Sequence, residues 1–139
     1  MEYTPENITK LEPNEVFVFG SNLAGRHGAG AAKLAMQKFG ARYGIGIGLQ
    51  GNSYALPTKD LDIETMPLYD IGLEIERLLQ FADKNRHLKF YVTKIGCGLA
   101  GYKVEQIAKL FAKWCIPSNV ILPKEFWEII FNNNNEHKH

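Results

Sequence analysis

Short apolar runs alternate along this chain with stretches in which apolar residues recur at helical spacing. Val16-Phe17-Val18-Phe19 follows Glu15 and stops at Gly20, which predicts a buried strand. Ser21 to Gly28 is a loop by its small and polar residues. Ala29 to Phe39 is rich in alanine, with apolar positions at 31, 34, 35 and 39. That spacing predicts a helix with one face on the core, stopped at Gly40. Ser53 to Pro57 predicts the next strand, with Pro57 ending its pairing for want of a backbone N–H. Thr58 to Thr65 is a polar connection. Pro67 suits the first position of a helix, and Leu68, Ile71, Ile75, Leu78, Leu79 and Ala82 keep helical spacing behind it. Leu88 to Ile95 predicts a strand, Val104 to about Trp114 a helix, and Val120 to Leu122 a last short strand. Phe126 to Ile130 predicts a helical turn packed back on the domain. Asn132 to His139 has no core residue and predicts a disordered polar tail.

Strands alternating with helices predict an α/β fold with a mostly parallel central sheet between helices, a three-layer α/β/α arrangement over residues 1–131. A length of 139 residues agrees with a single domain. In such sheets ligands bind beyond the carboxyl ends of the strands. Tyr43-Gly44-Ile45-Gly46-Ile47-Gly48 stands apart from the pattern. Glycine weakens a strand unless another backbone or a ligand comes close.

Composition narrows the function. A formal net charge of +1 gives no footprint for duplex nucleic acid. Two cysteines, Cys97 and Cys115, make no disulfide framework, and the scattered histidines suggest no structural metal. No cofactor is called for. The N-terminus has no apolar signal segment, and no apolar run reaches a membrane span, so the expectation is a cytoplasmic protein without a membrane partner.

The candidate chemistry lies in three loops. Gly20-Ser21-Asn22-Leu23-Ala24-Gly25-Arg26-His27-Gly28-Ala29-Gly30 feeds a predicted helix, whose N-terminus offers free N–H groups and partial positive charge. Asn22 adds an amide that both donates and accepts. A tight turn that lets the helix pack on the sheet would have the same sequence. His27 either donates to a ligand or fastens the turn. Gly96-Cys97-Gly98-Leu99-Ala100-Gly101-Tyr102 lies between a predicted strand and helix, and its glycines can expose successive N–H groups as an anion-binding concavity. It matches G-x-G-x-x-G literally, but too near the end of the chain for a dinucleotide-binding unit, and it lacks the Gly-Lys-Ser/Thr of a Walker loop. Cys97, near a predicted helix N-terminus, would have a lowered pKa, and a Cys97–His27 nucleophile pair is one reading. Lys59, at a strand end, pairs with phosphate or attacks an aldehyde carbon, unless it is a solvated loop lysine. Asp60, Asp62 and Glu64 beside it are either acid/base groups or a solvated run. Tyr43, Tyr54 and Tyr102 either stack on a ligand ring or edge the core.

Together the two glycine loops resemble the macrodomain family, which binds ADP-ribose. Asn22 followed by His27-Gly28-Ala29-Gly30 is similar to the family's first ligand loop, and Gly96 to Tyr102 to its second. Glu6-Asn7-Ile8-Thr9 resembles the family's Gly-Asp-Ile-Thr segment, with Asn7 in the place of the adenine-reading aspartate. The branch that removes terminal ADP-ribose from acidic side chains is most similar. Arg26-His27-Gly28-Ala29-Gly30-Ala31-Ala32, Pro57-Thr58-Lys59 and Ile95-Gly96-Cys97-Gly98-Leu99-Ala100 match its pattern, over roughly residues 6 to 114. The resemblance implies ADP-ribose, or an ADP-ribosylated target, as ligand. It implies Lys59 as nucleophile toward the distal ribose, oriented by Asn22, with the pyrophosphate on residues 97 to 102 and the helix that follows, and Tyr102 over the ring. Ala100 stands where that branch has an aspartate. The departure leaves a non-catalytic reader, or an enzyme on a related nucleotide derivative, as alternatives.

Overall fold

In the computed structural model, which describes the backbone of residues 1–136 and the side chains of residues 1–132, the first strand lies at the centre of the sheet. β1 (Glu15–Asn22) pairs in parallel with β3 (Ser53–Lys59) on one flank and β4 (Lys89–Val92) on the other. β5 (Val120–Ile121) adds in parallel outside β4. β2 (Gly48–Gln50) adds antiparallel outside β3, giving the order β2-β3-β1-β4-β5. The sheet is therefore mixed, with one antiparallel edge on an otherwise parallel set.

The period of two along β1 sends its side chains to separate cores. Val16 and Val18 join Leu56, Phe90 and Val92 against α2 (Leu68–Asp83), α3 (Val104–Phe111) and α4 (Lys124–Glu136). Phe17 and Phe19 join Ala55, Tyr91 and Ile121 against Ala32 and Ala35 of α1 (Gly30–Lys38), with Ile8 beside them. Among the described residues no helix is long and apolar enough to cross a membrane.

Several boundaries differ from the sequence expectation. Pro57 does not end β3, which continues to Lys59. Its β2 partner has ended by Ala55, so a residue without an N–H sits where β3 has one neighbouring strand. β1 runs through Gly20 to Asn22 with a register shift between Ser21 and Asn22. β4 stops at Val92, short of the expected Ile95. α3 ends at Phe111 rather than near Trp114, since Lys113 to Cys115 are exposed. α4 is longer than one turn. Buried Phe126 and Ile130 anchor it, and it carries on through residues 132–136, which the sequence assigns to a tail. Residues 137–139 of that expected tail lie outside the described residues.

Candidate functional site

A cleft of about 490 Å³ opens at the carboxyl ends of β1, β3 and β4. Gly20, Ser21 and Asn22 close β1 into it, Thr58 and Lys59 enter from β3, and Thr93 to Gly96 enter from the segment after β4. Gly28 to Ala32 and Gly98 to Ala100 complete the walls, so the two glycine loops do converge.

The first loop is built as a double layer with the segment around Tyr43 to Gly48. Gly46 lies so near the Asn22 and Leu23 backbone that a β-carbon there would overlap the Asn22 carbonyl. Ser21 Oγ donates to the Gly46 carbonyl at 2.5 Å. Gly46 thus serves backbone approach, one of the two uses expected of the alternating glycines, while Gly44 and Gly48 have open space at the β-carbon position and take a left-handed φ of 89°. Asn22 lines the cleft, but its amide clamps its own loop: Nδ2 donates to the Arg26 carbonyl at 2.9 Å, and Oδ1 accepts from the Arg26 N–H at 3.0 Å.

His27 is fully buried and not part of the cleft wall. Its Nε2 lies 2.9 Å from the Arg42 carbonyl and 3.0 Å from that of Ile45, and the ring edge meets Phe19. Two carbonyls at one nitrogen require Nε2 to carry the proton. Nδ1 has no partner. Of the two roles open to it, His27 takes the structural one, fastening the wall of residues 28–30 to the layer behind.

In the second loop Gly96, Gly98, Leu99 and Ala100 line the cleft, whereas Cys97, Gly101 and Tyr102 do not. Cys97 packs against the larger core, and burial pushes its thiol up to about 11. The expected lowering fails because α3 begins only at Val104 and the thiol is half-buried against the core. No Cys97–His27 pair forms, since each side chain bonds elsewhere: the Cys97 thiol to the Ile95 carbonyl, His27 to Arg42 and Ile45. Tyr102 Oη donates to the Met66 carbonyl at 2.7 Å, so it braces the β3–α2 connection instead of covering a ring. Tyr54 is a core residue and Tyr43 is exposed away from the cleft wall.

The helix end that faces the cleft is that of α1, not α3. Ala29 gives α1 no side-chain cap, its first turn has no acidic residue, and Gly28 to Ala32 all line the cleft. Its orphan N–H groups are available to an anion. At α3 the Lys103 N–H is met by Gln106 Oε1 at 2.9 Å.

Lys59 lines the cleft beside Asn22, its register partner on β1. Arg26 and Lys94 line it too. Lys94 bonds Glu125 at 2.8 Å, which raises its pKa. Among the described residues no carboxylate and no aromatic ring lines the cleft. Asp60 is engaged in its own turn, where Oδ1 accepts from the N–H groups of Asp62 and Glu64 at 2.9 and 3.0 Å. Among the described residues no three histidine, cysteine or acidic side chains cluster as metal ligands would. Sequence reasoning assigned no role to Thr58, Ile63, Thr93 or Lys94, all of which line the cleft. Lys94 and Thr93 adjoin the second loop and were within reach of that signal; Ile63 has no chemistry in its side chain to mark it.

Comparison with known proteins returned no match: no family model, no curated protein and no solved structure.

Proposed function

We propose that this chain is a macrodomain-type, three-layer α/β/α protein that binds ADP-ribose and releases it from a modified target through Lys59. The observation that carries this reading is the convergence of both glycine loops with Lys59 in one cleft that holds three cationic side chains and the uncapped start of α1. A pyrophosphate fits such a setting: the N–H groups of Gly28 to Ala32 and of Gly98 to Ala100 supply donors, while those of Cys97, Gly101 and Tyr102 are taken by carbonyls of the protein, and Arg26 adds charge. The distal ribose then lies toward Lys59 and Asn22. The Lys59 amine bonds to its anomeric carbon as the bond from that carbon to the target breaks, and water afterwards frees the lysine.

A second reading, a reader without turnover, is favoured by the lack of any carboxylate among the described cleft-lining residues, Ala100 included. One experiment separates the two. ADP-ribose is titrated calorimetrically into wild type and Lys59→Ala, with AMP and NAD as controls, and release of ADP-ribose from a modified protein is followed for both. The hydrolase reading expects saturable binding in both proteins and turnover only in wild type. Binding without turnover in wild type identifies a reader, and full turnover in Lys59→Ala removes the lysine mechanism.

A further inference from the structure

One residue of the cleft is held in a conformation that its side chain resists. Ile63 has a φ of 63°, and among the described residues it is the only non-glycine in that left-handed region. Two branches at Cβ make the region costly for isoleucine, and such residues persist only where their surroundings over-determine them. Here they do. Besides the two bonds to Asp60 Oδ1, the Ile63 N–H donates to the Asp60 carbonyl at 3.1 Å and the Asp60 N–H to the Glu64 carbonyl at 2.9 Å. Lys59 and Thr65 bridge across the base of the turn. Thr65 Oγ1 donates to the Ala100 carbonyl at 2.9 Å, tying the turn to the second glycine loop.

Glycine or asparagine would make this turn with less strain. The isoleucine belongs to neither apolar core. Its half-buried side chain lines the cleft instead, on the turn that Lys59 opens. Leu99 lines the same cleft while 75% exposed, and it too is outside both cores. The Thr65–Ala100 bond fastens the two loops that carry them.

We propose that Ile63 is a specificity-determining residue, whose side chain packs with Leu99 on the uncharged ring of the distal ribose presented to Lys59. The inference rests on the ADP-ribose reading. A ribose has no charge to engage the cations, but its C–H face gains contact from apolar side chains. ADP has the same base and pyrophosphate and lacks that ring, so it isolates the contact.

The test uses Ile63→Gly, Ile63→Asn and Ile63→Val, with ADP-ribose and ADP titrated into each and thermal unfolding measured without ligand. Glycine and asparagine tolerate the left-handed backbone, so both variants should melt no lower than wild type. Both should bind ADP-ribose about tenfold more weakly, as expected for the loss of roughly one aliphatic contact surface, and bind ADP as wild type does. Ile63→Val should retain the preference for ADP-ribose over ADP. Wild-type affinity for ADP-ribose in Ile63→Gly overturns the proposal, as does an equal loss for ADP, which would make the turn a support for the phosphate loops. A lower melting temperature with no change in ligand preference overturns it as well. If wild type binds neither ligand, the ADP-ribose reading falls and takes this inference with it, an outcome distinct from the others.

Discussion

Asn22, His27 and Lys59 show how differently three polar residues of one region can be used. Asn22 and His27 make their hydrogen bonds within the protein, which shapes the cleft wall, while Lys59 is the side chain that the wall presents. Cys97 is the clearest case of a residue whose type misleads. Burial holds its thiol near 11, so at pH 8 its thiolate fraction is on the order of one in a thousand. Cys115 is exposed. Iodoacetamide at pH 8 should therefore alkylate Cys115 at least ~10-fold faster than Cys97, read by peptide mass spectrometry. Comparable rates would show that Cys97 reaches solvent. In the sequence, the place of Lys59 near the glycine loops was legible because it follows a predicted strand, but a solvated loop lysine has the same signature. The fates of Cys97 and Tyr102 were not legible, because a side chain's direction out of a glycine loop depends on backbone angles that no residue spacing reveals.

At the scale of elements, the cleft owes its shape to a loop laid directly on another loop. Gly46 is the contact point, and its neighbour is backbone, which cannot move aside as a side chain would. Gly46→Ala should cost about 2 kcal/mol of stability, the range for overfilling a packed site, and, on the proposed ADP-ribose reading, should weaken ADP-ribose binding by displacing Asn22. Gly28 has open space around it and an ordinary φ. Gly28→Ala should leave stability within ~0.5 kcal/mol and, on the same proposed reading, change only ADP-ribose binding. Urea unfolding of the two variants distinguishes a contact glycine from a cleft glycine; equal losses would contradict the double layer. The run of alternating glycines was legible as an anomaly, and backbone approach was one of its two readings. Choosing between them required knowing that residues 22 and 46 meet, which is tertiary information. Pro57 illustrates the converse: the rule that proline ends pairing holds for a strand flanked on both sides, and the sequence does not say where β2 stops.

For the molecule as a whole, the apolar pattern was the most legible layer, since alternation in β1 and helical spacing in α2 each assign residues to a face without any knowledge of partners. The antiparallel edge was not legible, because β2 has only three residues, two of them glycine and glutamine. The larger core contains a latent sensitivity to alkali. Burial, with a smaller contribution from the Glu74 charge, pushes the Tyr54 phenol up to about 12. The phenol is neutral in folded and unfolded chains below pH 10, so stability there is unaffected. Between pH 10 and 12 the unfolded chain ionises and the folded one does not, so stability falls, by on the order of 2–3 kcal/mol from this group. Urea midpoints measured from pH 9 to 12 should decline less steeply in Tyr54→Phe than in wild type; parallel curves would place the phenol in solvent.

The position of β1 at the centre of the sheet also sets a schedule for synthesis. The strand is made first, yet its second flank stays open until Lys89–Val92 has been translated, and Val16 to Val18 are among the residues that pair there. A chain interrupted before β4 would carry that open flank, a template for pairing with other chains. The cleft is later still. Its walls run from Gly20 to Ala100, so no ligand can find a finished site, or steady the nascent fold, until the second glycine loop has left the ribosome.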